Sequence, residues 1–270
     1  MATLPRAVRS VFEQSIACWE LLVVDDGSTD GTAQWLSELA QTDSRVHILS
    51  QEQSGVSCAR NRAAEKAHAP WLAFLDSDDE WLPHKLHKQL ELAQAHPEFP
   101  LIHGEEIWIR NGVRVNAMKK HQKTGGDLFA QSLKLCCISP STSLMKKDLF
   151  QSLGGFREDF VVCEDYDLWL KITAHHTVGF VPEPLVKKYG GHEDQLSRRY
   201  KAMDYWRILS IHDRLQSQDL CEEQQKIGQN ELETKANILL KGYRRHHNLE
   251  NYQTIFDCLF ANKKSRNEIF

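Results

Sequence analysis

Two acidic clusters in this chain of 270 residues, each closing a short apolar run, carry the residue types that hold a divalent cation against a diphosphate. The first is Leu21-Leu22-Val23-Val24-Asp25-Asp26-Gly27-Ser28-Thr29-Asp30, and the second is Trp71-Leu72-Ala73-Phe74-Leu75-Asp76-Ser77-Asp78-Asp79. An unbroken apolar run bounded by turn residues suits a strand buried on both faces, as in a parallel sheet. Ligands of such sheets gather at the carboxyl ends of the strands, where both clusters fall. Hard carboxylate oxygens grouped there suit a divalent cation, which in turn binds phosphate oxygens. Asp, Gly, Ser and Thr also end strands and cap helices, so capping is the competing reading of each cluster. Asp79 in particular reads as the cap of the helix that follows.

The elements that must position these residues follow from periodicity. Leu4, Ala7, Val8 and Val11 recur at helical spacing, with Pro5 in a first turn. A strand over 20–25 follows, then a helix capped by Thr29 or Asp30, a short strand at Val46 and Ile48, a helix over 55–67, a strand over 71–75 and a helix from Pro83. This βαβ succession implies right-handed crossovers and a mostly parallel sheet. After Pro97 the pattern changes: alternation on both sides of Asn111-Gly112 predicts a hairpin and hence antiparallel additions. Strands are expected over 141–146 and 178–189, with helices over 148–153 and from Glu164 to Ala174. In the latter, Leu168, Trp169 and Ile172 face the core, so Glu164 and Asp165 project from a rigid first turn. From Tyr200 onward the chain reads as helical. These features predict an α/β domain over 1–196 and a helical appendage over 197–270.

Composition narrows the partners. A net charge of −4 supplies no global field for nucleic acid. Seven cysteines, odd in number and without a CxxC pair, read as free thiols of a reducing cytosol. No run approaches the roughly 18 apolar residues of a membrane span, so the expected location is cytoplasmic.

Taken together, Thr3-Leu4-Pro5-Arg6-Ala7-Val8-Arg9-Ser10-Val11, Val23–Thr32 (VVDDGSTDGT), Gly55-Val56-Ser57-Cys58-Ala59-Arg60-Asn61, Phe74–Trp81 (FLDSDDEW), Gly154-Gly155-Phe156 and Glu164-Asp165-Tyr166-Asp167 resemble a family 2 glycosyltransferase of the GT-A fold. The similarity covers roughly residues 1–196. It implies inverting transfer of a sugar from a nucleotide-diphosphate donor to an acceptor hydroxyl, assisted by Mg²⁺ or Mn²⁺, in cell-surface polysaccharide or glycolipid assembly. The acceptor would be a saccharide, free or lipid-linked. Family members also open with one more apolar strand, ahead of the helix with which this chain begins. The expectation is a start codon assigned downstream of the true one, the alternative being a truncated protein.

The resemblance also implies roles. Asp26 would accept a hydrogen bond from the donor's base. Asp76 and Asp78 form the DxD pair, the first towards the ribose and the second towards the metal; alternation puts both side chains on one side and turns Ser77 away. Asp165, with Glu164 beside it, matches the catalytic base, which must reach the acceptor hydroxyl. Acidic residues also favour helix N-termini for electrostatic reasons alone. His192 resembles a histidine that joins the metal or the phosphates, imidazole suiting Mn²⁺ better than Mg²⁺. Arg60, Arg198 and Arg199 could meet phosphate oxygens, Arg60 alternatively lying on a solvated helix face or supporting the donor pocket indirectly.

Competing functions are a nucleotidyltransferase and an inactive nucleotide-sugar-binding module. A haloacid-dehalogenase-type phosphatase fails on spacing, since Asp25-Asp26-Gly27-Ser28 lacks Asp-x-Asp. In the C-terminal region Trp206, Leu239, Tyr243, Leu259 and Phe260 mark apolar helix faces, and Lys241, Arg244, Arg245, His246, His247, Lys263, Lys264 and Arg266 cluster basic charge. Those helices either pack with their basic residues solvated or rest peripherally on an anionic membrane.

Overall fold

The computed structural model describes residues 1–116, 122–191, 200 and 202–267. The chain runs α1 (Leu4–Phe12), β1 (Leu21–Asp26), α2 (Thr32–Ala40), β2 (Val46–Gln51), α3 (Val56–Lys66), β3 (Trp71–Leu72), β4 (Glu80–Trp81) and α4 (Lys85–Ala95). It continues through β5 (Leu101–Arg110), β6 (Val113–Val115), α5 (Phe129–Lys134), β7 (Leu144–Lys146), α6 (Lys147–Ser152), α7 (Glu164–Thr173) and β8 (Gly179–Gly190). Helices α8 (Asp204–Gln216), α9 (Glu222–His246) and α10 (Leu249–Asn267) follow.

Two compact units emerge. The first joins Met1–Asp127, Cys137–Val161 and His176–His192; the second joins Leu128–Cys136, Val162–His175 and Glu193–Phe270. A single cut at 196/197 therefore does not describe the chain, because α5 and α7 go with the C-terminal helices. The reason is apolar burial: Phe129 and Leu133 of α5 and Tyr166 and Leu170 of α7 share one core with Ile208, Leu232, Ala236 and Ile255.

In the first unit β1 and β2 pair in parallel, Leu21 opposite Val46 through Asp26 opposite Gln51, as a βαβ crossover dictates. The remaining strands form a mixed sheet in the order β3-β7-β5-β8-β4, with β6 on β5. Here the expectation of a mostly parallel sheet is corrected. Only β5 and β8 run parallel in this sheet, while β3–β7, β4–β8, β5–β6 and β5–β7 are antiparallel. A crossover makes strands parallel but does not make them neighbours, and β7 enters between β3 and β5 from the opposite direction.

The strand expected over 71–75 pairs only at Trp71 and Leu72, with Lys146 and Met145. Beyond them Phe74 is held by packing, its ring 5.5 Å from Phe150 and 5.1 Å from Phe156 between centroids. The hairpin forms as the Asn-Gly signal requires, with Asn111 at φ 50° and Gly112 at φ 77°. Trp81, Leu86, Ala93, Ile102, Val181 and Leu185, together with Val11 of α1, make a core between helices and sheet. Among the described residues no helix is long and apolar enough to cross a membrane.

Candidate active site

The second acidic cluster folds into a turn, closed by Asp79 N–H donating to the Asp76 carbonyl at 3.0 Å. Asp76, Asp78 and Asp79 each bring a carboxylate oxygen within 4.8 Å of the others. The turn is fastened from four directions. Arg6 of α1 donates to the Asp78 carbonyl at 2.5 Å. Arg60 of α3 donates to Asp76 Oδ1 at 2.6 Å. Ser141 Oγ accepts from Asp76 N–H at 3.1 Å and donates to Asp79 Oδ2 at 2.6 Å. Tyr189 N–H of β8 donates to Asp79 Oδ1 at 3.1 Å.

Asp79 is thus not the cap of α4, which begins at Lys85 with His84 in the preceding position. Its side chain points inward, 1 % exposed, with both oxygens accepting hydrogen bonds. Capping competes only where the carboxylate can reach helix N–H groups, and here it is buried among other donors. Burial pushes the Asp79 carboxyl up to about 7, against the pull of Lys188 and with the repulsion of Asp76 and Asp78. Burial acts on Asp76 in the same sense, but the Arg60 and Lys188 cations outweigh it and hold the carboxyl below its usual range.

Arg60 of α3 is not on a solvated face: its side chain is only 13 % exposed and turned to Asp76. Asp26 does not cap α2. Its Oδ1 accepts from Gln51 Nε2 at 2.8 Å and Ser54 N–H at 2.7 Å, and its Oδ2 from Gly55 N–H at 2.9 Å. Burial would raise its carboxyl, but these three donors hold it low and charged. It thereby fixes the loop entering α3. Gly31 stands at the cap position of α2, and ahead of it Asp30 Oδ1 accepts from the Thr32 hydroxyl at 2.6 Å and amide at 3.3 Å.

Glu164 and Asp165 belong to the second unit, in the first turn of α7 as expected. Glu164 is buried and Asp165 half-buried. Asp165 Oδ2 accepts from the Cys136 thiol at 3.2 Å and Oδ1 from Tyr166 N–H at 2.7 Å. Tyr166 OH donates to the Leu133 carbonyl at 2.7 Å, which ties this turn to α5. His192, Arg198 and Arg199 lie outside the described residues.

Ser141 and Tyr189 escaped the sequence reading, and Arg6 was noticed only as part of a motif. Ser141 sits in a polar stretch with no periodicity, and Tyr189 contributes a backbone amide, so neither leaves a local signal.

Comparison with known proteins now adds to this geometry. The sequence profile described as Glycosyl transferase family 2 matches residues 2–154. The chain belongs to glycosyltransferase family 2. Over 180 residues, 66 % of its length, this glycosyltransferase is 34 % identical to the UDP-Glc:alpha-D-GlcNAc-diphosphoundecaprenol beta-1,3-glucosyltransferase WfgD of Escherichia coli, covering 68 % of that protein. It spans about a third of the length of three further curated relatives that it matches.

Solved structures share its fold. TarS 1–349 of Staphylococcus aureus, in complex with UDP, superposes with a TM-score of 0.66 at 18 % identity, covering 90 % of this glycosyltransferase and 68 % of that chain. The mannosyltransferase PcManGT of Pyrobaculum calidifontis, in complex with GDP-Man and Mn²⁺, gives 0.63 at 16 % identity, covering 96 % and 80 %. The family 2 glycosyltransferase therefore has the GT-A fold.

Proposed function

We propose that this glycosyltransferase transfers a sugar, with inversion, from a nucleotide-diphosphate donor to a hydroxyl of a saccharide acceptor carried on a lipid diphosphate. The observation that carries the donor half is the acidic turn, three carboxylates within 4.8 Å on a mount held by three side chains and one backbone amide. The three carboxylates offer hard oxygen donors, which fit Mg²⁺ or Mn²⁺, and an imidazole joining them would suit Mn²⁺ better. Asp78, with Asp76 beside it and His192 as a further ligand, would hold the cation, which when bound supplies positive charge to the departing diphosphate. The Mn²⁺ bound by PcManGT supports the same class of ion. The acceptor class is supported by the diphosphoundecaprenol-linked substrate in the name of WfgD.

Asp26 would keep acceptor capacity at Oδ2 for the donor's base, since among the described residues only Gly55 N–H is bonded there. Arg60 keeps Asp76 charged and oriented towards the ribose. Asp165 takes the proton of the acceptor hydroxyl while that oxygen bonds to the anomeric carbon. The bond from that carbon to the diphosphate breaks, and its electron pair leaves with the diphosphate. The transition state is oxocarbenium-like, as in glycoside hydrolysis.

Incubating the full chain with UDP- and GDP-sugars and Mn²⁺ tests the reading. Slow release of free sugar and nucleoside diphosphate is expected. Release of sugar 1-phosphate would make the chain a nucleotidyltransferase, and binding without turnover an inactive module.

A further inference from the structure

Ser141 is fully buried and separated by more than sixty positions from the turn it serves. A hydroxyl offers one proton and two lone pairs. Here the proton goes to Asp79 Oδ2 at 2.6 Å, and one lone pair receives Asp76 N–H at 3.1 Å. One side chain thus grips both ends of the Asp76–Asp79 turn. Its own backbone is pinned as well, the Ser141 carbonyl accepting from Trp81 Nε1 at 2.9 Å.

The segment that carries Ser141 is built as a rigid mount. Ser141, Thr142 and Ser143 are all at 0 % exposure. The Thr142 hydroxyl donates to the Ser139 carbonyl at 2.8 Å, and the Ser143 hydroxyl to the Pro140 carbonyl at 2.7 Å. From α4, Gln89 Nε2 donates to the Thr142 carbonyl at 2.8 Å and Lys85 Nζ to the Ser143 carbonyl at 3.1 Å. Buried polar side chains are costly unless satisfied, and a satisfied network specifies one geometry. The consequence for the turn is steric and electrostatic. With Asp79 drawn inward and the Asp76 amide fixed, the backbone between them has little freedom, so the directions of the Asp76 and Asp78 carboxylates are set. Without the hydroxyl, Asp79 loses a donor while Asp76 and Asp78 still repel it, and the turn is free to rotate.

We propose that Ser141 is a positioning residue for the cation and diphosphate: through Asp79 and the Asp76 amide it aims the carboxylates of Asp76 and Asp78. This inference rests on the reading of the turn as the donor site. It assigns to the segment Ser139–Ser143 a role beyond packing.

The test is calorimetry on the full chain with UDP and, in parallel, GDP, in the presence of Mn²⁺. A hydroxyl that serves only the fold would lower the fraction of competent protein, hence the stoichiometry, and leave Kd unchanged. A positioning hydroxyl raises Kd at unchanged stoichiometry. Ser141→Ala is expected to weaken Mn²⁺-dependent binding about tenfold, the scale of a lost hydrogen bond to a charged group. Ser141→Cys, which keeps a weaker donor in similar space, should lie between. On an Asp79→Ala background, Ser141→Ala should add less than about twofold. The inference is overturned if Ser141→Ala binds within about twofold of wild type, if only stoichiometry falls, if Ser141→Cys is no better than Ser141→Ala, or if the two losses multiply. Asp78→Ala separates the two levels. Binding retained in that variant sinks the donor-site reading itself, whereas binding abolished there but unaffected in Ser141→Ala sinks the positioning role alone.

Discussion

Asp76, Asp78 and Asp79 share one turn, and their surroundings give them different work. Asp79 has both oxygens bonded inside the protein, whereas Asp76 is paired with Arg60. Asp78→Ala should abolish Mn²⁺-dependent nucleotide binding while leaving the thermal unfolding midpoint within a few degrees of wild type, because a charged ligand to the cation is removed and no core packing. Isothermal titration with and without EDTA checks this. Asp165→Asn should bind donor normally and lower turnover by roughly 10²-fold or more, as expected for loss of a general base; single-turnover kinetics would reassign the residue to a cap if the rate is unchanged. His103 supplies a pH prediction. It is fully buried, its Nε2 donates to the Thr124 carbonyl at 2.8 Å, and burial, reinforced by the Lys123 charge, lowers its pKa to about 3. The folded state therefore favours the neutral ring. Its contribution is complete above the unfolded-state pKa of about 6.5 and is lost as pH falls towards 3. Across that window wild type should lose up to about 1.4 kcal/mol per pH unit from this one group, and His103→Asn should show a shallower slope in urea unfolding at successive pH values.

At the level of elements, the acidic turn depends on a clamp between α3 and the loop after α6. Asn61 donates to the Phe156 carbonyl at 2.8 Å and accepts from Phe156 N–H at 2.9 Å, a two-way amide bond that needs Asn in this geometry. The clamp places Phe156 against Phe74, two residues ahead of Asp76. Gly155 makes it possible, since its φ is +69° and a Cβ there would lie 2.6 Å from Asn61 Oδ1. Gly155→Ala should therefore cost about 2 kcal/mol or more, from left-handed strain plus a broken clamp, read as a shift in the urea midpoint. The motif is legible as Gly154-Gly155-Phe156, but its purpose becomes visible only when Asn61, ninety-five residues away, is seen bonded to it.

At the scale of the molecule, the apolar faces of the C-terminal helices are largely consumed in their own core. Leu259 and Tyr243 are buried, Leu239 and Trp206 pack against the same cluster, and Ile238 and Phe260 remain exposed. The packing reading of these helices thus has its physical basis. The membrane reading rests on Lys241, Arg244 and Arg245, which are exposed in the last turns of α9. The side chains of Lys263, Lys264 and Arg266 lie outside the described residues. If these charges hold the chain on anionic lipid, co-sedimentation with phosphatidylglycerol vesicles should be strong at low salt and weak at high salt, at about 1 kcal/mol per basic residue. Lys241→Gln with Arg245→Gln should weaken it, and equal binding to neutral vesicles would dismiss the idea. Charge substitution is the better probe because removing α8 to α10 would strip the shared core from Tyr166 and Leu170 of α7.

What the sequence by itself determined is whatever neighbours in the chain decide. The Asn111-Gly112 hairpin, the first turn of α7 with Glu164 and Asp165, and the acidic ends of the runs at Asp26 and Asp76 all follow from turn chemistry and periodicity. These local signals also carried the family resemblance. Only the tertiary structure decided the partners. It turned Asp79 from an apparent cap into a buried anchor, paired Arg60 with Asp76, and gave Asp26 to the loop before α3. It set β7 between β3 and β5, and it drew α5 and α7 into the helical unit. Each of these outcomes joins groups far apart in sequence, and such pairs are selected by burial and by the need to satisfy every buried polar atom, neither of which is written in any local stretch of residues.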